Sequence, residues 1–162
     1  MNGGLNIKIV AMHARQIVPI IGKHLQRDGG YLFICNGKGR SLFHGVCGAP
    51  LADKAPFYKI FSKEKAQRLF SHPEHQCSWE SRDPNKDQYG GAIRLKSGLI
   101  VSFSGFPEKD DAPLAGLIAV KSGLATPKEI HDTLELQDPN EMFSNGIELF
   151  AKMTTWLKLS HT

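Results

Sequence analysis

Two short glycine-bearing turns, each set between apolar runs, constrain this chain more than any other feature. Asn36-Gly37-Lys38-Gly39 lies between Tyr31–Cys35 and Ser41–Val46, and Lys96-Ser97-Gly98 lies between Gly91–Leu95 and Leu99–Ser104. Asn and Gly accept positive φ at little cost, so each set reads as a β-hairpin. Hairpins make antiparallel ladders, which points away from parallel crossover folds.

Helical patterning surrounds the hairpins. Val10, Ala14, Ile17, Val18, Ile21 and Leu25 recur at helical spacing and predict a helix over residues 7–28. Pro19 is expected to kink it or shorten its start, and Asp28-Gly29-Gly30 to end it. Ser62 is placed to cap a helix over Lys63–Ser71, which His72-Pro73 closes. The segments Gly48–Phe57 and Glu74–Gly90 read as loops. Asp110 begins a helix rich in Ala112, Leu114, Ala115, Leu117 and Ile118, with Asp110 and Asp111 at its positive end. Thr126-Pro127-Lys128-Glu129 and Asp138-Pro139-Asn140-Glu141 each combine a cap, a first-turn proline and a glutamate at the third position. Phe143, Ile147, Phe150, Met153 and Leu157 then form an apolar stripe. The fold class that follows is α+β: an antiparallel sheet built from two hairpins, with helices on both faces and extra C-terminal helices.

Composition narrows the class of protein. With 162 residues, 41% hydrophobic and 22% charged, the chain reads as one globular domain, not a disordered or fibrous one. The net charge of +4 permits an acidic partner, but the basic residues are scattered and not interleaved with aromatics, so no nucleic-acid partner is expected. The apolar stretch Leu114–Val120 is far short of the ~20 residues that cross a bilayer, and Met1–Asn6 lacks the pattern of a secretory signal. Three cysteines, Cys35, Cys47 and Cys77, form an odd, sparse set that suits a reducing compartment. The expectation is a cytoplasmic protein with no membrane partner.

Several short segments carry a family resemblance. Phe61-Ser62-Lys63-Glu64-Lys65-Ala66, Gly90-Gly91-Ala92-Ile93, and Ser102-Phe103-Ser104-Gly105 followed by Asp110, Ala112, Ala115 and Gly116 resemble the corresponding stretches of the GlcG/HbpS-like family. The first hairpin also sits where that family has one. The resemblance covers about residues 7–122 and makes residues 126–162 a helical extension of a single domain, 1–162. It implies a profilin-like α/β/α sandwich, usually a homo-oligomer, with haem bound by some members. No haem ligand of the family matches a residue of this chain, so none is carried over.

Four groups of residues are candidates for chemistry. His72, His75 and Cys77 fall within six residues and are zinc-ligand types, though in no standard finger spacing; the alternative is a polar loop at a helix end. His13 and His24, eleven residues apart on one helix face, stand about 16 Å apart along the axis, so either one alone is a candidate axial haem ligand; the alternative is a pair of surface histidines. Cys35 and Cys47 end successive strands and are expected near each other, as buried hydrophobes or as a thiolate beside His44 or His75. Arg82, next to Trp79, is placed to clamp a small anion against Ser104-Gly105; the alternative is a surface network with Asp83 or Glu80. Dinucleotide, P-loop and nucleophile-elbow patterns are absent from the sequence.

The reading that follows is a non-enzymatic small-ligand-binding module with haem as a candidate cofactor. Two others stay open. One is a small-metabolite enzyme using Arg82 with His75 or Cys77. The other is an assembly module whose helix from Pro139 to Leu157 docks a partner or a second subunit.

Overall fold

Asn6 starts the first helix, α1 (Ile7–Leu25), by accepting the backbone N–H groups of Lys8 and Ile9 on its side-chain oxygen. The computed structural model describes residues 5–135 and 146–161. Helix α1 runs unbroken through Pro19 and ends earlier than the Asp28-Gly29-Gly30 turn predicts. Gln26 takes a left-handed conformation, and the Arg27 amide donates to the Gly22 carbonyl, which closes the last turn. Gly29 and Gly30 are thereby released to open strand β1 (Gly29–Cys35).

Both hairpins form. Strand β1 pairs with β2 (Ser41–Gly48), and β3 (Ala92–Arg94) pairs with β4 (Ile100–Ser104). They merge because β1 also pairs antiparallel with β4, from Tyr31 opposite Ser104 to Cys35 opposite Ile100. The sheet order is β2-β1-β4-β3.

Strand alternation decides what each face buries. Leu32, Ile34, Ile93, Val101 and Phe103 turn to one side, onto α1 and α3 (Glu108–Lys121). Phe33, Cys35, Ala92 and Ile100 turn to the other, onto Ala66 and Leu69 of α2 (Ala55–Phe70). The molecule is thus the α+β, helix–sheet–helix sandwich that the hairpins imply.

Three expectations need correction. Helix α2 starts at Ala55 with Pro56 in its first turn, two turns before Ser62, so the loop after Gly48 is short. Ser62 is interior to the helix, and its hydroxyl donates to the Lys59 carbonyl. The early turns are hidden in the sequence because Phe57 and Ile60 are apolar yet exposed, which blurs the amphipathic pattern. Cys35 and Cys47 are not neighbours: Cys35 lies opposite Ser41 at the turn end of the hairpin, whereas Cys47 lies opposite Gly30 at the far end. A hairpin folds the end of its first strand onto the beginning of its second.

Thr126 caps α4 (Pro127–Leu134) by accepting the Glu129 N–H, as its sequence predicts. The Asp138-Pro139-Asn140-Glu141 start and Phe143 lie outside the described residues. Helix α5 (Gly146–Leu159) buries Leu149, Phe150, Met153 and Leu157, and it packs on α1, α3 and α4 of its own chain. The described part of the apolar stripe thus packs within the protomer.

Candidate functional site

A cleft of about 210 Å³ opens between α2 and the start of α3. Strand β4 delivers Ser104 and Gly105 to its edge. Gly105 has φ +146°, and a Cβ there would stand 2.5 Å from the Gly29 carbonyl oxygen, so only glycine passes this crossing. The chain then turns through Phe106, whose N–H donates to Asp111 Oδ1 at 3.1 Å, and enters α3.

At the inner end of the cleft lies a buried ion pair. Lys65 of α2 points toward the sheet, and its Nζ donates to Asp111 Oδ2 at 2.9 Å and to the Phe103 carbonyl at 3.0 Å. Both side chains are only 3% exposed. Burial pushes the Asp111 carboxyl up to about 7, while the Lys65 ammonium and the Phe106 amide pull the other way. The pair has room because Gly91 faces it: a Cβ on Gly91 would stand 2.7 Å from Lys65 Nζ.

Aromatic rings form the walls. Tyr58 and Phe61 come from α2, Tyr89 from the loop before β3, and Phe106 from the turn before α3. Phe61 and Tyr89 meet edge to face, with centroids 5.9 Å apart. The loop that carries Tyr89 contains two single-turn 3₁₀ segments, Ser78–Ser81 and Pro84–Lys86. Arg68 of α2 anchors it by donating to the carbonyls of Ser78 and Tyr89, while Glu64 holds the guanidinium from behind.

Arg82 is near the cleft but committed elsewhere. Its Nε and a terminal nitrogen donate to the two carboxylate oxygens of Glu108, at 2.7 and 3.0 Å, and its guanidinium lies 5.1 Å from the Trp79 ring centre. Glu108 lies 26 positions from Arg82, and its carboxylate occupies the guanidinium fork expected to clamp an anion. Glu108 also accepts the Gly90 N–H at 2.9 Å. Trp79 is buried against Gly90, where any Cβ would overlap its indole. Of the four expected ligand residues, Ser104 and Gly105 line the cleft; Arg82 and Trp79 support it through Glu108 and Gly90.

The remaining candidates separate. His72, Glu74 and His75 come together in the loop after α2, with a ligand atom of each within 4.8 Å of the others. Cys77 does not join them. It is buried in the main core, its thiol pushed up to about 12 first by desolvation and then by the Glu80 carboxylate. Cys47 is likewise buried, its thiol pushed up to about 11 by desolvation. Neither His75 nor Cys77 lines the cleft.

His13 and His24 have different surroundings. His24 stacks flat on Trp156, with ring centres 4.6 Å apart. His13 borders a separate hollow of about 230 Å³ with Ile17, Ile20 and Leu157.

Sequence reasoning misses Lys65, Asp111 as its partner, Glu108 and the aromatic walls. One signal is present: Lys65 lies four positions from both Phe61 and Leu69, which puts a cation on a helix face that also carries apolar groups.

No protein-family model and no curated protein matches this chain. Among solved structures it is similar to the crystal structure of Ybr137w protein, at 15% sequence identity and a TM-score of 0.49, over 75% of this chain and 78% of that one. No helix among the described residues is long and apolar enough to cross a membrane.

Proposed function

We propose that the chain is a non-enzymatic module, GlcG/HbpS-like in type, that binds a small molecule in the cleft between α2 and α3. One observation carries this reading: a desolvated Lys65–Asp111 pair stands at the inner end of an aromatic-walled cleft. Burying two charges costs more than packing apolar groups of the same shape, so a pair kept there is better explained by what it contacts than by stability. The ligand that suits the cleft is a small metabolite with a flat or apolar body and a polar end that meets Lys65.

Binding is favoured over catalysis because the reactive groups are engaged. Both Asp111 oxygens accept hydrogen bonds, Arg82 is held by Glu108, and Cys77 is a buried thiol. Native mass spectrometry of protein purified without denaturation is expected to show a bound small molecule, which Tyr58→Ala removes. A wild-type mass equal to that of the bare chain overturns the reading.

Self-association is part of the proposal. Phe57 and Ile60 are 58% and 63% exposed and lie three residues apart on one face of α2. Sedimentation is expected to show an oligomer that Phe57→Glu with Ile60→Glu converts to monomers; a wild-type chain that sediments as a monomer removes this part. All three cysteines are buried as thiols, which supports a reducing, cytoplasmic setting.

A further inference from the structure

We infer that His72, Glu74 and His75 form a binding site for a divalent first-row transition cation, separate from the cleft. The sequence His72-Pro73-Glu74-His75 folds as one tight turn, closed by the His75 N–H donating to the His72 carbonyl. The two imidazoles stack with centres 4.7 Å apart and 17° between planes. The Glu74 carboxylate stands between them, with Oε1 at 3.3 Å from His72 Nδ1 and 3.6 Å from His75 Nε2. Ligands held about 2.0–2.1 Å from a tetrahedral ion are about 3.4 Å from one another, so two of the three edges, at 3.3 and 3.6 Å, are already close to that length.

The turn is held in this shape from beneath. Arg94 of β3 donates to the carbonyls of Leu69, His72 and His75, at 2.7, 3.1 and 3.0 Å. A cation on the sheet thus fixes the backbone of two ligands without using their side chains, which limits the ordering that metal binding requires. Pro73 restrains the segment further.

Donor chemistry selects the ion. Two imidazoles and one carboxylate suit zinc and its first-row neighbours, whereas magnesium and calcium prefer all-oxygen shells. Three protein ligands leave a fourth position open toward water, since Glu74 and His72 are 66% and 41% exposed at the side chain. Among the described residues His75 Nδ1 is buried without a hydrogen-bond partner, so none of them supplies the outer acceptor that usually strengthens a ligating histidine. The site is therefore weaker than a closed structural zinc site.

The test is calorimetric titration of the metal-free full chain with Zn²⁺. One equivalent is expected to bind, with affinity at least tenfold lower in His72→Ala and in His75→Ala. Mg²⁺ gives no binding, and His13→Ala and His24→Ala bind Zn²⁺ as the wild type does. The variants remove side chains from a loop whose backbone Arg94 still holds, and circular dichroism checks that each is folded. Co²⁺ absorption gives an independent reading: visible ligand-field bands of the wild type vanish in the His72→Ala, His75→Ala double variant. Equal Zn²⁺ affinity in the wild type and the double variant, or loss on His13→Ala instead, overturns the assignment.

Discussion

Replacing Lys65 with methionine is expected to destabilise the protein by about 3–5 kcal/mol, as removal of one partner from a buried ion pair does. Lys65 is 2% exposed and is the cation that faces both Asp111 Oδ2 and the Phe103 carbonyl. Without it the Asp111 carboxylate is left in the interior, with only the Phe106 amide to oppose its charge among its hydrogen bonds. Lys65→Met combined with Asp111→Leu removes both charges at similar volume and is expected to recover most or all of the loss. Denaturant midpoints of the three proteins at pH 8 check this. A double variant as unstable as the single one would show that the pair is a net source of stability, with no ligand needed to explain it.

The same pair sets a pH dependence of definite sign. Asp111 has a folded value of about 7 against an ordinary 3.8, with burial as the main cause. Below the ordinary value it is protonated in both states, and its contribution is fully present. Between about pH 4 and 7 the unfolded chain releases a proton that the folded chain keeps, so stability falls as pH rises. Above about 7 the contribution is flat. The whole change is on the order of 4 kcal/mol. It is read as the difference between the wild type and the double variant, which cancels the other carboxylates.

Gly30→Ala is expected to cost about 3 kcal/mol, by forcing apart the seam that joins the two hairpins. A Cβ at this position would stand 2.1 Å from the Ser104 carbonyl oxygen, 2.8 Å from the Phe103 ring and 2.9 Å from Gly105 Cα. Two of these are backbone atoms that cannot rotate aside, and Ser104 and Gly105 also edge the cleft. The variant should therefore lose ligand as well as stability. Gly37→Ala is the control: its Cβ would meet nothing closer than 3.6 Å, and the change should fall within about 0.5 kcal/mol. Similar losses at the two positions would mean that the β1–β4 approach is not the cause.

Signals that act over a few residues are legible in the sequence alone. The glycine turns at Asn36–Gly39 and Lys96–Gly98 produce the two hairpins, and Thr126 produces the start of α4. The face of α1 that carries Val10, Ala14, Ile17 and Ile21 is buried as its spacing requires. Metal-ligand types are visible at His72 and His75, but nearness in sequence groups Cys77 with them. The chain instead sends Cys77 into the core and brings Glu74 to the histidines.

What the sequence by itself determined is the set of elements and the antiparallel sense of each hairpin, because caps, turns and periodicity are local energies. Only the tertiary structure decided that β1 lies against β4, that Lys65 meets Asp111 across 46 positions, and that Arg82 closes on Glu108. The strand pairing depends on long-range packing and the ion pairs on which charge can be desolvated beside which, and no local pattern encodes either.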